Sequence, residues 1–400
     1  MNETNFNHTP GAQRIHIGFF GCTNAGKSSL INAIAGQDVS IVSHVKGTTT
    51  DPVRKAMELL PLGAVLLFDT AGLDDTSTLG IQRTAKTYEI LRHTDLAVWV
   101  VDATAGMTHF DRQLEEKLKQ SRIPYVTVFN KWDLIHGEST LPESAIPVSA
   151  KSGFNIDALK KRICTVYLES QDVHPEQPLL SDLIARESIV VLVTPIDEAA
   201  PKGRMILPQA QTIRAVLDAF AVCITVQPQQ LPVLFQLLKR PPDLVITDSQ
   251  VFSEVKDIVP EEIPLTSFSI LFARYKGVLR QALDGIRALD ALRDGDHVLI
   301  AEGCTHHRQC NDIGTVKLPK WISDYTGKRL HFSFSSGNAF PENLSGIALV
   351  VHCGGCMLNA REIQYRRMAA QAQGVPFTNY GMLIAAVNGI LSRSLSCFGR

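Results

Sequence analysis

The 400-residue sequence has no excess of either charge: 39 lysines and arginines face 40 aspartates and glutamates, a formal net charge of −1. The basic surplus that marks general nucleic-acid binders and proteins held on anionic membranes is missing. No apolar run approaches the roughly 18–20 residues needed to cross a bilayer; Leu96 to Val101 and Ile347 to Val351 are among the longest. The amino-terminal stretch MNETNFNHTPGAQR carries an acid and several amides but no apolar block, so it does not read as a secretory signal. Cysteine is sparse, with eight in the chain, and in a reducing compartment these are not expected to pair as disulfides. No internal repeat or low-complexity tract is present. These absences point to a cytoplasmic globular protein, and a length of 400 residues with 45% hydrophobic content suffices for two or three domains.

Residues 1–13 read as a flexible tail. From 14 to about 170, short β-branched runs (IHIGFF, AVLLFDT, LAVWVVDA, YVTVFNK, AIPVSA) alternate with helical stretches, the pattern of a mostly parallel sheet with helical crossovers. The proline-bearing stretch QDVHPEQPLL reads as a linker. A second α/β unit over 177–262 contains SIVVLVTP, AVCITVQ and DLVITDS, with helices near Gln209 to Phe220 and Gln229 to Lys239. Prolines return in IVPEEIPLTS. A third unit over 265–400 then opens with one long helix from about Phe268 to Leu292, followed by HVLIAE, LHFSFS, GIALVVH, a helix from about Leu358 to Gln373, and PFTNY. The fold class expected is therefore α/β, with three mostly parallel sheets.

The segment Gly21-Cys-Thr-Asn-Ala-Gly26-Lys27-Ser28 matches GxxxxGK(S/T) between a strand and a helix. Backbone N–H groups from Gly21 through Asn24, Ala25, Gly26, Ser28 and Ser29 are placed to wrap phosphate oxygens. Lys27 can reach the β- and γ-phosphates, and Ser28 can ligate Mg²⁺. Asp69-Thr-Ala-Gly72 ends the next apolar strand, supplying a carboxylate for Mg²⁺ and a glycine N–H facing the γ-phosphate. In Asn130-Lys131-Trp132-Asp133 the Asp133 carboxylate can accept from the N1–H and exocyclic amine of guanine, a pair adenine does not offer. Ser149-Ala150-Lys151 can close over the base. Thr49, in Gly47-Thr-Thr-Thr-Asp51, is the candidate switch residue for Mg²⁺ and the γ-phosphate.

With these motifs in this order, residues 14–168 resemble the GTPase group of TrmE, Era and EngA, whose corresponding loop reads GTTRD or GVTRD. The resemblance implies binding of GTP and GDP with Mg²⁺ and hydrolysis of GTP. Leu73 stands where Ras-like proteins keep a water-orienting glutamine, so intrinsic hydrolysis should be slow. Asn24 stands where potassium-activated members of the group carry a K⁺ ligand, which implies potassium stimulation.

A second constellation lies near the carboxyl terminus. Cys304-Thr-His306 follows the strand HVLIAE, and His352-Cys353-Gly-Gly-Cys356 follows GIALVV. If those strands are neighbours, the groups converge beyond the sheet's carboxyl edge, and the two glycines let both sulfurs turn toward one centre. Three thiolates with one or two histidines suit either a closed Cys3His zinc site or a 4Fe-4S cluster with one iron open or weakly held. His307, His331 and Cys310 read as bystanders.

A TrmE-like GTPase joined to a CxH…HCxxC domain resembles the HydF family of FeFe-hydrogenase maturation GTPases over the whole chain. The resemblance implies a 4Fe-4S cluster on Cys304, Cys353 and Cys356, with His306 and His352 as further motif positions. It also implies a homodimer formed through 177–262, and a scaffold that accepts a transient di-iron precursor from two radical-SAM maturases and passes it to apo FeFe-hydrogenase, with no nucleic-acid or membrane partner. Rival readings are a ribosome- or tRNA-associated GTPase with a structural zinc and an oxygen-sensing iron-sulfur GTPase. Glu302 joins the two histidines as a candidate fourth cluster ligand.

Overall fold

The computed structural model describes residues 11–36, 53–74, 86–136, 141–173, 177–196, 205–303, 312–337 and 339–399. The chain divides into two compact units, 1–175 and 176–400. Among the described residues, no helix is long and apolar enough to cross a membrane.

The first unit is built on a six-stranded sheet of β1 (Ile15–Phe20), β2 (Val53–Leu59), β3 (Gly63–Asp69), β4 (Leu96–Asp102), β5 (Tyr125–Asn130) and β6 (Ile146–Pro147), in the order β2-β3-β1-β4-β5-β6. All pairings are parallel except β2 with β3. β1 and β4 are apolar along nearly their whole length because helices cover both faces of a parallel sheet. The antiparallel strand β2 lies at the sheet's edge: VRKAMEL is mostly polar and only its last residue is buried, the composition of an edge rather than a central strand. The helix His109–Gln120 is fixed by a capping box in which Thr108 accepts from the Asp111 N–H. Asp111 is itself buried and accepts from Trp99 Nε1 of β4 at 3.0 Å, locking that helix to the sheet.

The second unit carries two four-stranded parallel sheets. One comprises β7 (Ile189–Val193), β8 (Val222–Val226), β9 (Leu244–Thr247) and β10 (Leu265–Ser267), in the order β10-β9-β7-β8. The other comprises β11 (His297–Ala301), β12 (His331–Ser335), β13 (Ile347–His352) and β14 (Phe377–Asn379), in the order β12-β11-β13-β14. Each sheet has an apolar cluster of its own on one face and shares a core with the other sheet on its other face. Val191, Val245 and Leu265 of the first lie in the same buried apolar cluster as Val298, Ile300, Leu349 and Val351 of the second, bridged by the apolar helix Tyr380–Val387.

Three sequence expectations change here. The stretch 265–267, assigned by its prolines to the third unit, pairs as β10 with β9 in the second sheet. The single helix expected from Phe268 to Leu292 is two helices, Phe268–Tyr275 and Leu279–Leu289. Gly277 separates them with left-handed backbone at φ 70°. The helix Ile156–Val173 also runs a few residues into the expected linker.

Candidate functional site

In the first unit the strand order places β1 between β3 and β4, so consecutive βα loops diverge on either side of β1 and leave a crevice at the carboxyl edge. The 21–28 loop enters it from β1, Asp69 to Gly72 from β3, Asn130 to Asp133 from β5, and Ser149 to Lys151 after β6. Gly26 caps the helix Lys27–Ala35 with φ 88°, and a Cβ there would lie 2.2 Å from Asn130 Nδ2. Only glycine lets the two loops approach this closely.

Asn130 holds three motifs together. Its Nδ2 donates to Ala25 O at 2.9 Å, and its Oδ1 accepts from the Ala150 N–H at 3.1 Å. Ser149 Oγ donates to Asp133 Oδ1 at 2.6 Å, which orients the exposed Asp133 carboxylate. Lys131 adopts left-handed backbone and pairs with Asp102 at 2.5 Å. Burial alone would raise the Asp102 carboxyl, but the Lys131 and Thr104 hydrogen bonds outweigh it and hold it below the usual carboxylate range. Asp102 and Asn130 are partners in the β4–β5 register, a tertiary pairing that no motif in the sequence announces.

Lys27 is buried and folds back on its own loop, donating to Gly21 O at 3.0 Å and Cys22 O at 2.7 Å. Burial lowers its ammonium pKa, and nearby Asp69 opposes the fall. Asp69 Oδ1 is buried with no hydrogen-bond partner among the described residues. A desolvated carboxylate oxygen left unpaired is costly, and Mg²⁺ fits that position. Ser28 and Ser29 are exposed on the first helical turn. Gly72 stands so close to the 21–28 loop that a Cβ would lie 2.1 Å from Thr23 Oγ1. Leu73 is buried in the core, leaving no polar side chain to orient water from that position. Asn24 is exposed in left-handed backbone at φ 61°, which asparagine tolerates better than most residues; its amide has no partner among the described residues. Thr49 lies outside the described residues.

In the second unit β11 and β13 are neighbours, in a register that sets Ala301 opposite His352. Their carboxyl ends therefore meet, which fulfils the condition that the sequence reading set. Cys353 Sγ accepts the Gly303 N–H at 3.0 Å and the Gly355 N–H at 3.3 Å. Gly355 turns the chain with φ 60°, where a Cβ would lie 2.3 Å from Ile363 Cδ1. Burial raises the Cys353 thiol to about 11 against those two donors, and burial also raises Cys356 against the charge of Lys276. Sulfur that receives backbone N–H groups in this way is suited to bind a metal centre as thiolate. Cys304 and His306 lie outside the described residues, and among the described residues no three metal-binding side chains converge.

His352 is occupied otherwise. Its Nε2 faces Arg366 Nη1 at 3.2 Å and its Nδ1 faces Cys353 O at 2.7 Å. Guanidinium can only donate and a carbonyl can only accept, so the imidazole is neutral with its proton on Nδ1. Burial, with Arg366 beside it, lowers its pKa to about 3. Both ring nitrogens are thus spent on shaping the loop. Arg366, wholly buried, also donates to Glu362 Oε1 at 2.8 Å and Gly337 O at 2.6 Å. Glu302 is buried and accepts from the Tyr380 hydroxyl at 3.3 Å.

Because Asn130 serves two loops from a buried position, Asn130→Ala leaves Ala25 O and Ala150 N–H unpaired. A cost of about 1–3 kcal/mol per orphaned group means guanine-nucleotide affinity should fall by about tenfold or more, at 1.4 kcal/mol per tenfold. Calorimetric titration with GDP measures it, and wild-type affinity would show that Asn130 does not organise the crevice.

Comparison with known proteins follows these divisions. Residues 16–131 match the family model of a 50S ribosome-binding GTPase, 179–277 that of the hydrogen maturase F dimerization domain, and 280–397 that of the hydrogen maturase F tetramerization domain. The tRNA modification GTPase MnmE of Bordetella parapertussis is 35% identical over 213 residues, 52% of this chain and 44% of that protein. GTPase Der of Wolinella succinogenes is 34% identical over 169 residues, 38% of this chain and 36% of that protein. The chain thus spans less than half the length of these relatives. The structure of an Aquifex aeolicus Era variant bound to GDP and aluminium fluoride is 21% identical, covers 56% of this chain and 98% of its own, and superposes with a TM-score of 0.33. With the two hydrogen maturase F models accounting for 179–277 and 280–397 behind a GTPase segment, the chain belongs to the hydrogen maturase F family.

Proposed function

We propose that the protein is a GTP-hydrolysing scaffold that binds a 4Fe-4S cluster and carries a di-iron precursor of the hydrogenase active site to apo FeFe-hydrogenase, receiving it from two radical-SAM maturases. The observation that carries the reading is Cys353, its sulfur held by two backbone N–H groups where β11 and β13 end, in a hydrogen maturase domain of a chain that also bears a phosphate-binding loop.

In the nucleotide crevice, Lys27 leaves the Gly21 and Cys22 carbonyls to meet the β- and γ-phosphates, and the backbone from Asn24 to Ser29 cradles them. Ser28 and Asp69, with Thr49, would hold Mg²⁺, which neutralises charge on the phosphate oxygens. Gly72 N–H meets the γ-phosphate. Asp133 accepts from guanine while Ala150 and Lys151 close over the base. Asn24, its amide free to turn inward, would hold K⁺ where Leu73 offers no polar group. Cys304, Cys353 and Cys356 would hold the cluster, which supplies an iron not claimed by cysteine. His352, committed to Arg366 and Cys353 O, positions the loop rather than occupying that iron. A homodimer through the second sheet is supported by its edge: among the described residues β8 is unpaired on one side, with Val222 and the nearby Phe220 exposed by 50% and 67%, and an open apolar edge favours pairing with another strand.

Three measurements test this. Asp133→Asn should shift preference from GTP toward XTP, since the amide N–H group opposes the exocyclic amine of guanine but can donate to the 2-carbonyl of xanthine; discrimination by buried hydrogen bonds is worth on the order of 10⁴-fold, and an unchanged ratio overturns the assignment. Hydrolysis in KCl should exceed that in NaCl at equal ionic strength, which holds screening constant; equal rates remove Asn24 from the reaction. A triple Cys304→Ser, Cys353→Ser, Cys356→Ser chain should lose iron on anaerobic reconstitution and with it hydrogenase activation, while retaining GTP hydrolysis. A folded triple variant that keeps about four irons, the content of one such cluster, defeats the cluster assignment.

A further inference from the structure

Lys276 is a buried lysine for which the nucleotide chemistry has no use. It caps the helix Phe268–Tyr275, just before the Gly277 break. Only 6% of it is exposed. Its Nζ donates to Gly355 O at 2.5 Å and Leu358 O at 2.9 Å, carbonyls on either side of the Cys356-Met357 pair. Its backbone is held as firmly: its N–H donates to Phe272 O at 2.9 Å, and its carbonyl accepts from Gln364 Nε2 at 2.7 Å. Lys276 also lines a small pocket with Cys353, Gly354, His352 and Asn379.

Among the described residues no carboxylate reaches this ammonium; its charge favours the thiolates of Cys356 and Cys353 and disfavours protonation of His352. Burial lowers its pKa to about 8. A buried cation without an anionic partner is expensive, and two carbonyl acceptors meet that cost only in part. The missing negative charge arises when both sulfurs are thiolates in an iron-sulfur centre.

We infer that Lys276 is the positioning residue of the proposed cluster: its ammonium pins the Cys353-Gly-Gly-Cys356 turn through the Gly355 and Leu358 carbonyls and supplies the buried positive charge facing the cluster's thiolates. The inference rests on the 4Fe-4S reading above. Reduction adds a negative charge to a centre already made anionic by its thiolates, so a fixed cation beside it favours the reduced form.

The test uses the full chain reconstituted anaerobically with iron and sulfide, and a redox titration followed by the EPR signal of the reduced cluster. Lys276→Met should move the midpoint potential to more negative values, and Lys276→Arg, which keeps the charge, should leave it near wild type. Loss of iron in the methionine variant with retention in the arginine variant supports the same role. A methionine variant with wild-type iron content and wild-type potential overturns it, as does equal loss of iron in both variants. A wild-type chain that binds no iron overturns the cluster reading itself, and Lys276's role with it.

Discussion

The contact on which the carboxyl-terminal unit turns is the hydrogen bond from Gly303 N–H to Cys353 Sγ. It exists because β11 and β13 pair in parallel with Ala301 opposite His352. A register shift of one residue would turn the side chains of β13 to the opposite face, moving Leu349 and Val351 out of one apolar cluster and Val350 out of the other, and would carry Cys353 away from the β11 terminus. The register is therefore set by apolar packing along the strands, and the sulfur position is inherited from it. Gly303 beyond β11, Lys276 beyond the helix Phe268–Tyr275 and Arg366 of the helix Ala360–Ala372, acting through His352, each reach the loop from a different element, so the turn is specified from three sides before any metal arrives.

The nucleotide crevice is assembled differently. There the sheet supplies four loops at one edge, and a single buried amide, Asn130, ties its own loop to two of the others, those of Ala25 and Ala150. The arrangement separates two tasks. Side chains expected to meet nucleotide or metal, such as Ser28 and Asp133, are exposed, whereas those that hold the loops, Asn130 and Ser149, are buried. Asp69 stands between the two classes, half-buried with one orphaned oxygen. Rigid buried supports beneath exposed contact groups reduce the ordering cost of binding.

Much of this was legible in the residues, because local rules dominate there. A glycine-rich turn between a buried strand and a helix reads as a phosphate loop from its spacing alone. Apolar runs such as LAVWVVD read as central parallel strands since both faces must be covered. The pairing of HVLIA with IALVVH was conditional in the sequence, and only their side-by-side placement decided it.

What the sequence by itself determined, then, was the α/β class and the order of the guanine-nucleotide motifs, since these depend on residues close together in the chain; the cysteine motifs it supplied as two separate halves. The tertiary structure decided the rest. It paired β10 with the second sheet despite the prolines before it, because the strand's backbone groups found partners on β9. It broke the expected long helix at Gly277 and so delivered Lys276 to the Cys353 loop from more than seventy positions away. It also committed His352 to Arg366 and a carbonyl, a use of the ring nitrogens that spacing could not reveal. In each case the deciding partner lies far along the chain, and which distant groups meet in the interior is settled by packing and by the demand that buried polar atoms be paired.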